Sequence, residues 1–140
     1  MTVAPLFSVV IPTYNQAGYL KEAIDSVLAQ SFTEFEIVIV NNHSTDNTRG
    51  VIEAFNDPRV TAIEFSNKGV IGASRNVGIR ASKGDYVCFL DSDDTWYQEK
   101  LAEVAQVIQE DPEIGLICHN QDMVRDGVVE VAIASPKALP

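Results

Sequence analysis

The sequence from residue 86 to residue 94 reads Tyr86-Val87-Cys88-Phe89-Leu90-Asp91-Ser92-Asp93-Asp94. The first five residues form a continuous apolar run, which is typical of a short strand buried on both faces of a parallel sheet. Three carboxylates follow within four residues, and they repel one another unless a cation or solvent relieves them. In open α/β sheets, ligands bind outside the carboxyl ends of the strands. The stretch therefore predicts a buried strand that ends in a charged binding site.

Outward from this stretch, short apolar runs alternate with amphipathic segments. The predicted strands are Phe7–Pro12, Phe35–Val40, Val60–Phe65, Tyr86–Leu90 and Ile114–His119. The predicted helices are Gly18–Gln30, a segment from an N-cap at Ser44 to about Asn56, Val70–Ser82 and Gln98–Glu110. Asp126-Gly127 between two apolar pairs predicts a hairpin turn. We therefore expect a single α/β domain over residues 1–140, with a mainly parallel central sheet and helices on both faces.

The composition indicates an acidic, soluble protein. The chain has 10 Lys and Arg against 20 Asp and Glu, so its net charge at pH 7 is −10. Nucleic-acid binding needs a basic face and is not expected, whereas an acidic protein that binds phosphate needs a counter-ion. Cys88 and Cys118 lie in apolar runs and are predicted to be buried free thiols on strands. With no signal-peptide pattern and no membrane-length apolar run, we expect a cytoplasmic protein.

Asp91 and Asp93 are the first candidates for a metal site. Mg²⁺ and Mn²⁺ prefer oxygen ligands, usually one or two carboxylates that substrate phosphates complete. The alternating spacing lets both carboxylates converge on one metal-diphosphate unit. The alternative is an acidic helix entry, with Asp93 or Asp94 as the N-cap of the next helix. Capping does not explain three acids after a buried strand, so we predict a metal site.

Polar and aromatic residues follow the first two predicted strands. Pro12 is predicted to end the first strand because it cannot donate a hydrogen bond. Tyr14 could stack on a flat ligand such as a base, or pack as an ordinary loop aromatic. Asn41 and Asn42 could read the edge of a base, or form a turn and a helix cap. His43 is predicted to be a solvated loop residue, because no Ser, Cys or carboxylate constellation accompanies it.

Residues 67–76 open a helix with two glycines and two basic residues. Backbone N–H groups at the start of that helix, together with Lys68 and Arg75, could bind a phosphate. The equal alternative is an ordinary turn with a solvated Lys68 and a salt-bridged Arg75, because two glycines are not a complete dinucleotide-binding fingerprint. His119 ends the fifth predicted strand and is expected in the core or at the rim of the sheet.

Five motifs in order resemble the N-terminal half of a family 2 glycosyltransferase of the GT-A fold. They are Ser8-Val9-Val10-Ile11-Pro12-Thr13-Tyr14-Asn15, Leu28-Ala29-Gln30-Ser31-Phe32, Ser44-Thr45-Asp46-Asn47-Thr48, Gly72-Ala73-Ser74-Arg75-Asn76-Val77-Gly78-Ile79 and Gly84-Asp85-Tyr86-Val87-Cys88-Phe89-Leu90-Asp91-Ser92-Asp93-Asp94-Thr95-Trp96. The resemblance implies a Rossmann-like domain that binds a nucleotide-diphosphate sugar with Mn²⁺ or Mg²⁺. It implies that Asp93 coordinates the metal and that Asp91 contacts the ribose or the diphosphate, with Arg75 among the substrate-binding residues.

The resemblance also places residues around the base of the nucleotide. It implies that Pro12 and Tyr14 flank the base and that Asn42 faces its hydrogen-bonding edge. The family usually has Asp at one or both of the positions of Asn41 and Asn42, followed by Gly where His43 stands. An Asn can accept a hydrogen bond from a base N–H, but it also brings donors. The donor nucleotide therefore stays open among UDP, GDP and dTDP.

The resemblance further implies transfer of a sugar to an acceptor hydroxyl, with inversion and a carboxylate base. Nothing in residues 121–140 matches the family's catalytic base and acceptor motifs, so we expect the base beyond Pro140 and a domain cut before its acceptor-binding half. The acceptor stays open among a glycan, a lipid and a protein, with cell-envelope polysaccharide as the expected context. Peripheral membrane association of the full-length protein is left open.

Three other functions compete with this one. Residues 91–95 also spell the DxDxT motif of haloacid-dehalogenase phosphohydrolases, but that motif normally lies on the first strand. A receiver-type signalling module would need acids after strand one, where this chain has Thr13-Tyr14-Asn15. A nucleotide-sugar-binding domain without catalysis keeps the same fold and the same donor site.

Overall fold

A computed structural model of the chain describes residues 4–132. This part of the chain divides into two compact units, one up to Glu103 and one from Val104. The elements in order are β1 (Phe7–Thr13), α1 (Ala17–Leu28), β2 (Phe35–Asn41), α2 (Thr48–Ala54), β3 (Val60–Glu64), α3 (Ile71–Ala81), β4 (Tyr86–Phe89), α4 (Lys100–Glu110), β5 (Gln121–Arg125) and β6 (Val128–Ala132).

The first unit is built on a four-stranded sheet with the order β3-β2-β1-β4. All three strand pairs are parallel, as the sequence predicts. Every residue of β1 and β2 is buried, which explains why these two strands read as continuous apolar runs.

The order of the strands places helices on both faces of the sheet. The chain moves from β1 to β2 to β3 toward one edge, then returns past β1 to form β4 at the other edge. Right-handed crossovers therefore put α1 and α2 on one face and α3 on the opposite face. Consistently, α1 contacts α2, whereas α3 contacts β1 and β2. The direction of winding reverses between β1 and β4, and this topological switch is where ligands bind in such sheets.

Pro12 ends the pairing of β1 on one side only. Residues of β1 bond alternately to β4 and β2: the Val10 carbonyl accepts from Leu90 N at 3.1 Å, and the Thr13 carbonyl accepts from Asn42 N at 3.0 Å. Pro12 lies two residues beyond Val10, so its backbone faces β4 as that of Val10 does. It has no N–H to continue the hydrogen-bond ladder with β4. The prediction that Pro12 ends the strand is therefore right for the β4 side and wrong for the β2 side, where pairing reaches Thr13 and Asn41.

The start of α2 differs from the prediction. The helix begins at Thr48, and Ser44 is not its N-cap. The Ser44 hydroxyl accepts from Asn15 N at 3.0 Å and donates to Asn41 Oδ1 at 2.6 Å, so it fastens a loop. Asp46 instead receives the first helical amide, because its Oδ1 accepts from Thr48 N at 3.0 Å. All five residues from Ser44 to Thr48 are polar, so the sequence left the position of the cap undecided.

The predicted fifth strand, Ile114–His119, is wrong. Residues 114–120 form no strand, and the next strand begins at Gln121. Cys118 is exposed, so the prediction that it is a buried thiol on a strand is also wrong. The prediction that residues 86–90 are buried on both faces of the sheet is wrong as well, because β4 is an edge strand and Phe89 is exposed. Cys88 in β4 is half-buried, and burial raises the pKa of its thiol to about 11. Periodicity alone does not identify a short apolar run as a strand, and in this structure Ile114–His119 lies in the connection between α4 and β5.

The predicted hairpin is present in the second unit. β5 and β6 pair antiparallel, with Arg125 opposite Val128. Asp126 and Gly127, the two residues between them, both have positive φ, 51° and 76°. Asp-Gly is the sequence that such two-residue turns favour, because Asp tolerates and Gly readily adopts this conformation.

A buried polar cluster fastens the turn before β4 at the amino end of the sheet. The Ser8 hydroxyl donates to Glu36 Oε1 at 2.6 Å, and the same oxygen accepts from Lys83 N at 2.6 Å. Gly84 N donates to Ser8 Oγ at 2.8 Å. A Cβ on Gly84 would lie 2.7 Å from the backbone carbon of Phe7, so only glycine fits this close approach. The cluster therefore aligns the start of β4 with the start of β1.

Gly78 allows α3 to approach β1 closely, and its replacement should destabilise the fold. An added Cβ would lie 2.3 Å from Val10 Cγ1, so we expect Gly78→Ala to lower the free energy of unfolding by about 1–3 kcal/mol. Gly72→Ala is the matched control, because a Cβ at Gly72 in the same helix meets nothing within 4 Å. The free energy of unfolding of the Gly72→Ala variant should lie within about 1 kcal/mol of the wild-type value or above it. Urea denaturation measures both, and equal effects of the two substitutions would contradict this packing.

Candidate functional site

An acidic turn formed by residues 91–94 lies where β1 and β4 separate. Asp94 N donates to the Asp91 carbonyl at 3.0 Å, which closes the turn. Ser92 is buried in the middle of the turn, and Asp93 is exposed. Asp94 is not a helix cap, because α4 begins only at Lys100. The turn follows the fourth strand of the sheet, which is not the position that the phosphohydrolase motif requires.

One acid of the turn has a basic partner. Arg75 Nη2 lies 2.6 Å from Asp91 Oδ1, so the prediction of a salt-bridged Arg75 describes its contact in this structure. Within residues 4–132, the Asp93 carboxylate makes no hydrogen bond or ion pair. Burial raises the pKa of Asp94, and the neighbouring charges of Asp93 and Asp91 raise it further. The turn therefore holds negative charge that the described residues do not neutralise.

The same region contains unsatisfied polar atoms. Thr13 Oγ1 and Arg75 Nε are buried and have no hydrogen-bond partner within residues 4–132. Thr13 ends β1, and Arg75 pairs with Asp91, so both atoms belong to residues around the topological switch. In the same part of the chain, no group of three or more His, Cys, Asp and Glu side chains could hold a metal ion. A cation at this turn would therefore need oxygens from another molecule.

The loops after β1 and β2 are fastened to each other beside the acidic turn. Asn15 has a φ of 51°, and its Oδ1 accepts from Thr45 N at 2.7 Å. Asp46 Oδ2 accepts from Ala17 N at 3.1 Å, and a hydrogen bond from Thr48 is the largest cause that lowers the pKa of Asp46. Tyr14 precedes this link and is 54% exposed. The loops are thus held while the ring of Tyr14 stays open to solvent.

The two neighbouring amides have different environments. Asn41 is buried, and it is used within the protein: its Nδ2 donates to Glu64 Oε1 at 3.0 Å and its Oδ1 accepts from Ser44. Asn42 is half-buried, and its Oδ1 accepts from Asn67 N at 3.0 Å. Its Nδ2 donates no hydrogen bond within residues 4–132. Of the two amides that the sequence offered for a ligand, Asn42 is therefore the one whose two N–H donors are both available.

The remaining candidates do not join the acidic turn. His43 is exposed, and its Nδ1 lies 3.6 Å from Glu64 Oε2, consistent with the predicted solvated loop residue. Lys68 is exposed in a turn with a φ of 52°. His119 was expected at the end of a fifth sheet strand, and this is wrong because no such strand forms. It is exposed in the second unit, with Nδ1 3.0 Å from the Asn120 carbonyl.

Two glutamines that the sequence analysis did not single out contact the segment that carries the acidic turn. The Ser92 hydroxyl donates to Gln16 Oε1. Gln30 is buried, donates to the Tyr97 carbonyl at 2.7 Å and accepts from Leu101 N at 2.9 Å. Gln30 belongs to the motif of residues 28–32, for which the family resemblance implies no role. A Gln that follows an apolar helix face, three residues beyond buried Val27, was the available signal.

Comparisons with known proteins agree with this geometry. The family described as glycosyl transferase family 2 matches residues 8–129. An uncharacterized glycosyltransferase of Nostoc sp. is 43% identical over 115 residues, which are 80% of this chain and 35% of that protein. The relatives of this chain include poly(ribitol-phosphate) beta-N-acetylglucosaminyltransferase TarS of Staphylococcus aureus, 39% identical over 109 residues. This chain covers only 19–43% of the relatives it matches.

Two solved structures show the same fold. Staphylococcus aureus TarS 1–349 in complex with UDP-GlcNAc has a TM-score of 0.71 and 38% identity, over 74% of this chain and 31% of that one. The mannosyltransferase PcManGT of Pyrobaculum calidifontis, in complex with GDP-Man and Mn²⁺, has a TM-score of 0.71 and 28% identity, over 81% of this chain and 35% of that one. Among the helices described for this chain, none is long and apolar enough to cross a membrane.

The family match covers most of the chain, and the solved relatives share its fold. The phosphohydrolase and receiver-module alternatives are excluded by the same match. The chain belongs to glycosyl transferase family 2 and has the GT-A fold.

Proposed function

We propose that this domain binds a nucleotide-diphosphate sugar and a divalent cation, as the donor-binding part of an enzyme that transfers the sugar to an acceptor hydroxyl. The observation that carries the proposal is the acidic turn at the topological switch, with Asp91 paired to Arg75 and the Asp93 carboxylate free. Related structures hold UDP, UDP-GlcNAc or GDP-Man with Mn²⁺, which supports a nucleotide-sugar donor for this chain.

The residues of the turn fit a Mg²⁺ or Mn²⁺ ion that the substrate helps to bind. These cations take oxygen ligands and are usually held by one or two carboxylates plus substrate phosphates. Asp93 would coordinate the ion, because its carboxylate is exposed and has no partner within residues 4–132. When bound, the cation would neutralise charge on the leaving diphosphate. The described residues contain no group of three or more His, Cys, Asp and Glu side chains that could hold a metal ion by themselves, which agrees with a site that the diphosphate completes.

Asp91 and Arg75 would act on the nucleotide side of the turn. Their contact of 2.6 Å fixes one oxygen of Asp91 and leaves the other for a ribose hydroxyl. The buried Arg75 Nε, which has no partner in the described part of the chain, is a further donor beside this contact. In this proposal Arg75 holds Asp91 in place, and it reaches the diphosphate only if the Asp91 contact opens.

Pro12, Tyr14 and Asn42 would form the base side of the site. Tyr14 offers an exposed ring directly after β1, and Pro12 lies where β1 leaves β4. Asn42 follows β2, the next strand of the sheet. Because Asn67 N already occupies the Asn42 oxygen, the amide would present N–H donors to the base. A base with an acceptor at that edge is therefore favoured.

For the whole protein we propose an inverting transfer in the cytoplasm, with its carboxylate base in sequence beyond Pro140. The names of two relatives support a cell-envelope acceptor: TarS, a poly(ribitol-phosphate) transferase, and TuaG, a putative teichuronic acid biosynthesis glycosyltransferase of Bacillus subtilis. The acceptor, which is a glycan, a lipid or a protein, would be bound by parts of the enzyme outside this domain. Any association with a membrane surface would also be made by those parts.

Removal of the Asp93 carboxylate should abolish the effect of metal on nucleotide binding. Calorimetry of UDP, GDP and dTDP should show at least about tenfold tighter binding with Mn²⁺ for the accepted nucleotide, a difference of about 1.4 kcal/mol. We expect Asp93→Ala to lose this gain. Asp85→Ala, which removes one exposed acid at the other end of β4, should keep it. Metal-independent binding in wild type, or an unchanged gain in Asp93→Ala, would contradict the metal site.

Loss of the Tyr14 ring should weaken nucleotide binding with and without metal. Stacking of a base on an aromatic ring contributes about 1–3 kcal/mol, so we expect Tyr14→Ala to weaken binding by that amount and Tyr14→Phe to retain it. Tyr19→Ala is the control, because Tyr19 is similarly exposed at 61% and lies in α1. Equal losses in the Tyr14→Ala and Tyr19→Ala variants would argue against stacking on Tyr14.

Conversion of Asn42 to Asp should change base preference without releasing the loop. The new carboxylate still accepts from Asn67 N, but it offers an acceptor where the amide offered a donor. The N3 position of uracil donates and that of cytosine accepts, so we expect the preference for UDP over CDP to rise by about tenfold, or about 1.4 kcal/mol. Asn41→Asp makes the same chemical change on the buried neighbour and should leave the ratio unchanged. A fall in the preference for UDP over CDP in Asn42→Asp would show that Asn42 presents its oxygen, and not its N–H groups, to the base.

A further inference from the structure

The segment that carries the acidic turn is hydrogen-bonded to both ends of α1. This segment runs from Asp91 to Leu101, and its residues 94–99 belong to no helix or strand. Its position therefore depends on its side-chain and backbone contacts. Two of those contacts involve glutamine side chains, Gln16 before α1 and Gln30 after it, for which the family resemblance implied no role.

The first contact lies within the acidic turn itself. Ser92 is 4% exposed, and its hydroxyl donates to Gln16 Oε1. Ser92 separates Asp91 from Asp93, so its burial fixes the middle of the turn while Asp93 stays exposed. Gln16 directly precedes α1 and follows Tyr14 by two residues. The contact therefore joins the loop after β1 to the turn after β4 across the topological switch.

The second contact lies at the other end of α1. Gln30 is 5% exposed and uses its amide fully: Nε2 donates to the carbonyls of Tyr97 at 2.7 Å and Ser26 at 3.1 Å, and Oε1 accepts from Leu101 N at 2.9 Å. The Ser26 hydroxyl also accepts from Trp96 N at 3.1 Å. The chain after the acidic turn is thus held at the backbone of Trp96, Tyr97 and Leu101.

We propose that Gln16 and Gln30 are positioning residues that preorganise the acidic turn for its cation, and that α1 thereby links the base side of the site to the metal side. This inference rests on the proposed function. Like charges in the turn repel one another, so an untethered turn would spread its carboxylates and bind the cation less tightly. Groups that orient metal ligands typically change metal affinity by about 10–100-fold when removed.

The test compares the Mn²⁺-dependent gain in UDP affinity with amide exchange in the ligand-free protein. We expect Ser92→Ala and Gln30→Met to reduce the gain by about tenfold, within the range known for residues that orient metal ligands. Metal-free UDP binding should change by less than about twofold, because neither Ser92 nor Gln30 is among the residues proposed to contact the base, Pro12, Tyr14 and Asn42. Amide exchange over residues 91–101 should accelerate in both variants. Ser92→Thr keeps the hydroxyl, so its Mn²⁺-dependent gain in UDP affinity should be close to that of wild type.

A matched control separates positioning from general stability. Ser8 is buried like Ser92, at 0% exposure, but its hydroxyl belongs to the cluster at the amino end of the sheet. Ser8→Ala should lower the unfolding midpoint and leave the Mn²⁺ gain intact. Adding Gln16→Met to Ser92→Ala should cause no further loss, because both remove the same hydrogen bond.

The outcomes distinguish this inference from the function on which it rests. An unchanged Mn²⁺ gain in Ser92→Ala and Gln30→Met, or an equal loss in Ser8→Ala, overturns the positioning role alone. Unchanged amide exchange over residues 91–101 overturns it as well. A wild-type protein whose UDP affinity does not respond to Mn²⁺ overturns the proposed metal site and the inference together.

Discussion

The missing N–H of Pro12 is the constraint on which the site depends. β1 lies between β2 and β4 in the four-stranded sheet. Its pairing with β4 stops after Val10, while its pairing with β2 continues to Thr13. Because β4 is released first, the chain after Leu90 can turn away at the topological switch. The acidic turn therefore forms beside the loop after β1, and the residues predicted for the base and for the metal lie on neighbouring strand ends.

The acidic turn combines a buried anchor with exposed charge. Ser92 points inward to Gln16, Asp91 is held by Arg75, and Asp93 stays free. A turn of three acids would be unfavourable if every carboxylate lacked compensation. Burial raises the pKa of Asp94 most, and the charges of Asp93 and Asp91 raise it further. One ion pair and one buried hydrogen bond keep the turn ordered without neutralising it. This residual charge is what makes the turn suited to a cation that arrives with a diphosphate.

The four strands of the sheet and the position of the acidic turn could be predicted from residue order because their signals are local. Parallel strands are continuous apolar runs, and acids after such a run have few structural uses. The burial of β4 could not be predicted, because an edge strand and a central strand have similar apolar runs. The choice between Asn41 and Asn42 could not, because it depends on contacts with Glu64 and Asn67 from later in the chain. The roles of Gln16 and Gln30 were missed for the same reason, and Ile114–His119 shows that an apolar run without a partner does not become a strand.

The net charge of −10 explains why local contacts must decide nucleotide binding. A diphosphate approaching an acidic domain is repelled at long range, but at about 0.1 M salt that repulsion is screened beyond roughly 10 Å. Within that distance the described residues offer Arg75 and the donors of Asn42, and Arg75 is already paired with Asp91. Neither can neutralise two phosphates. In the proposed site, a cation held by Asp93 would supply the missing positive charge, so affinity for the diphosphate should depend on how well the turn is held before the cation binds. The contacts of α1 with this segment therefore bear on function as much as on stability.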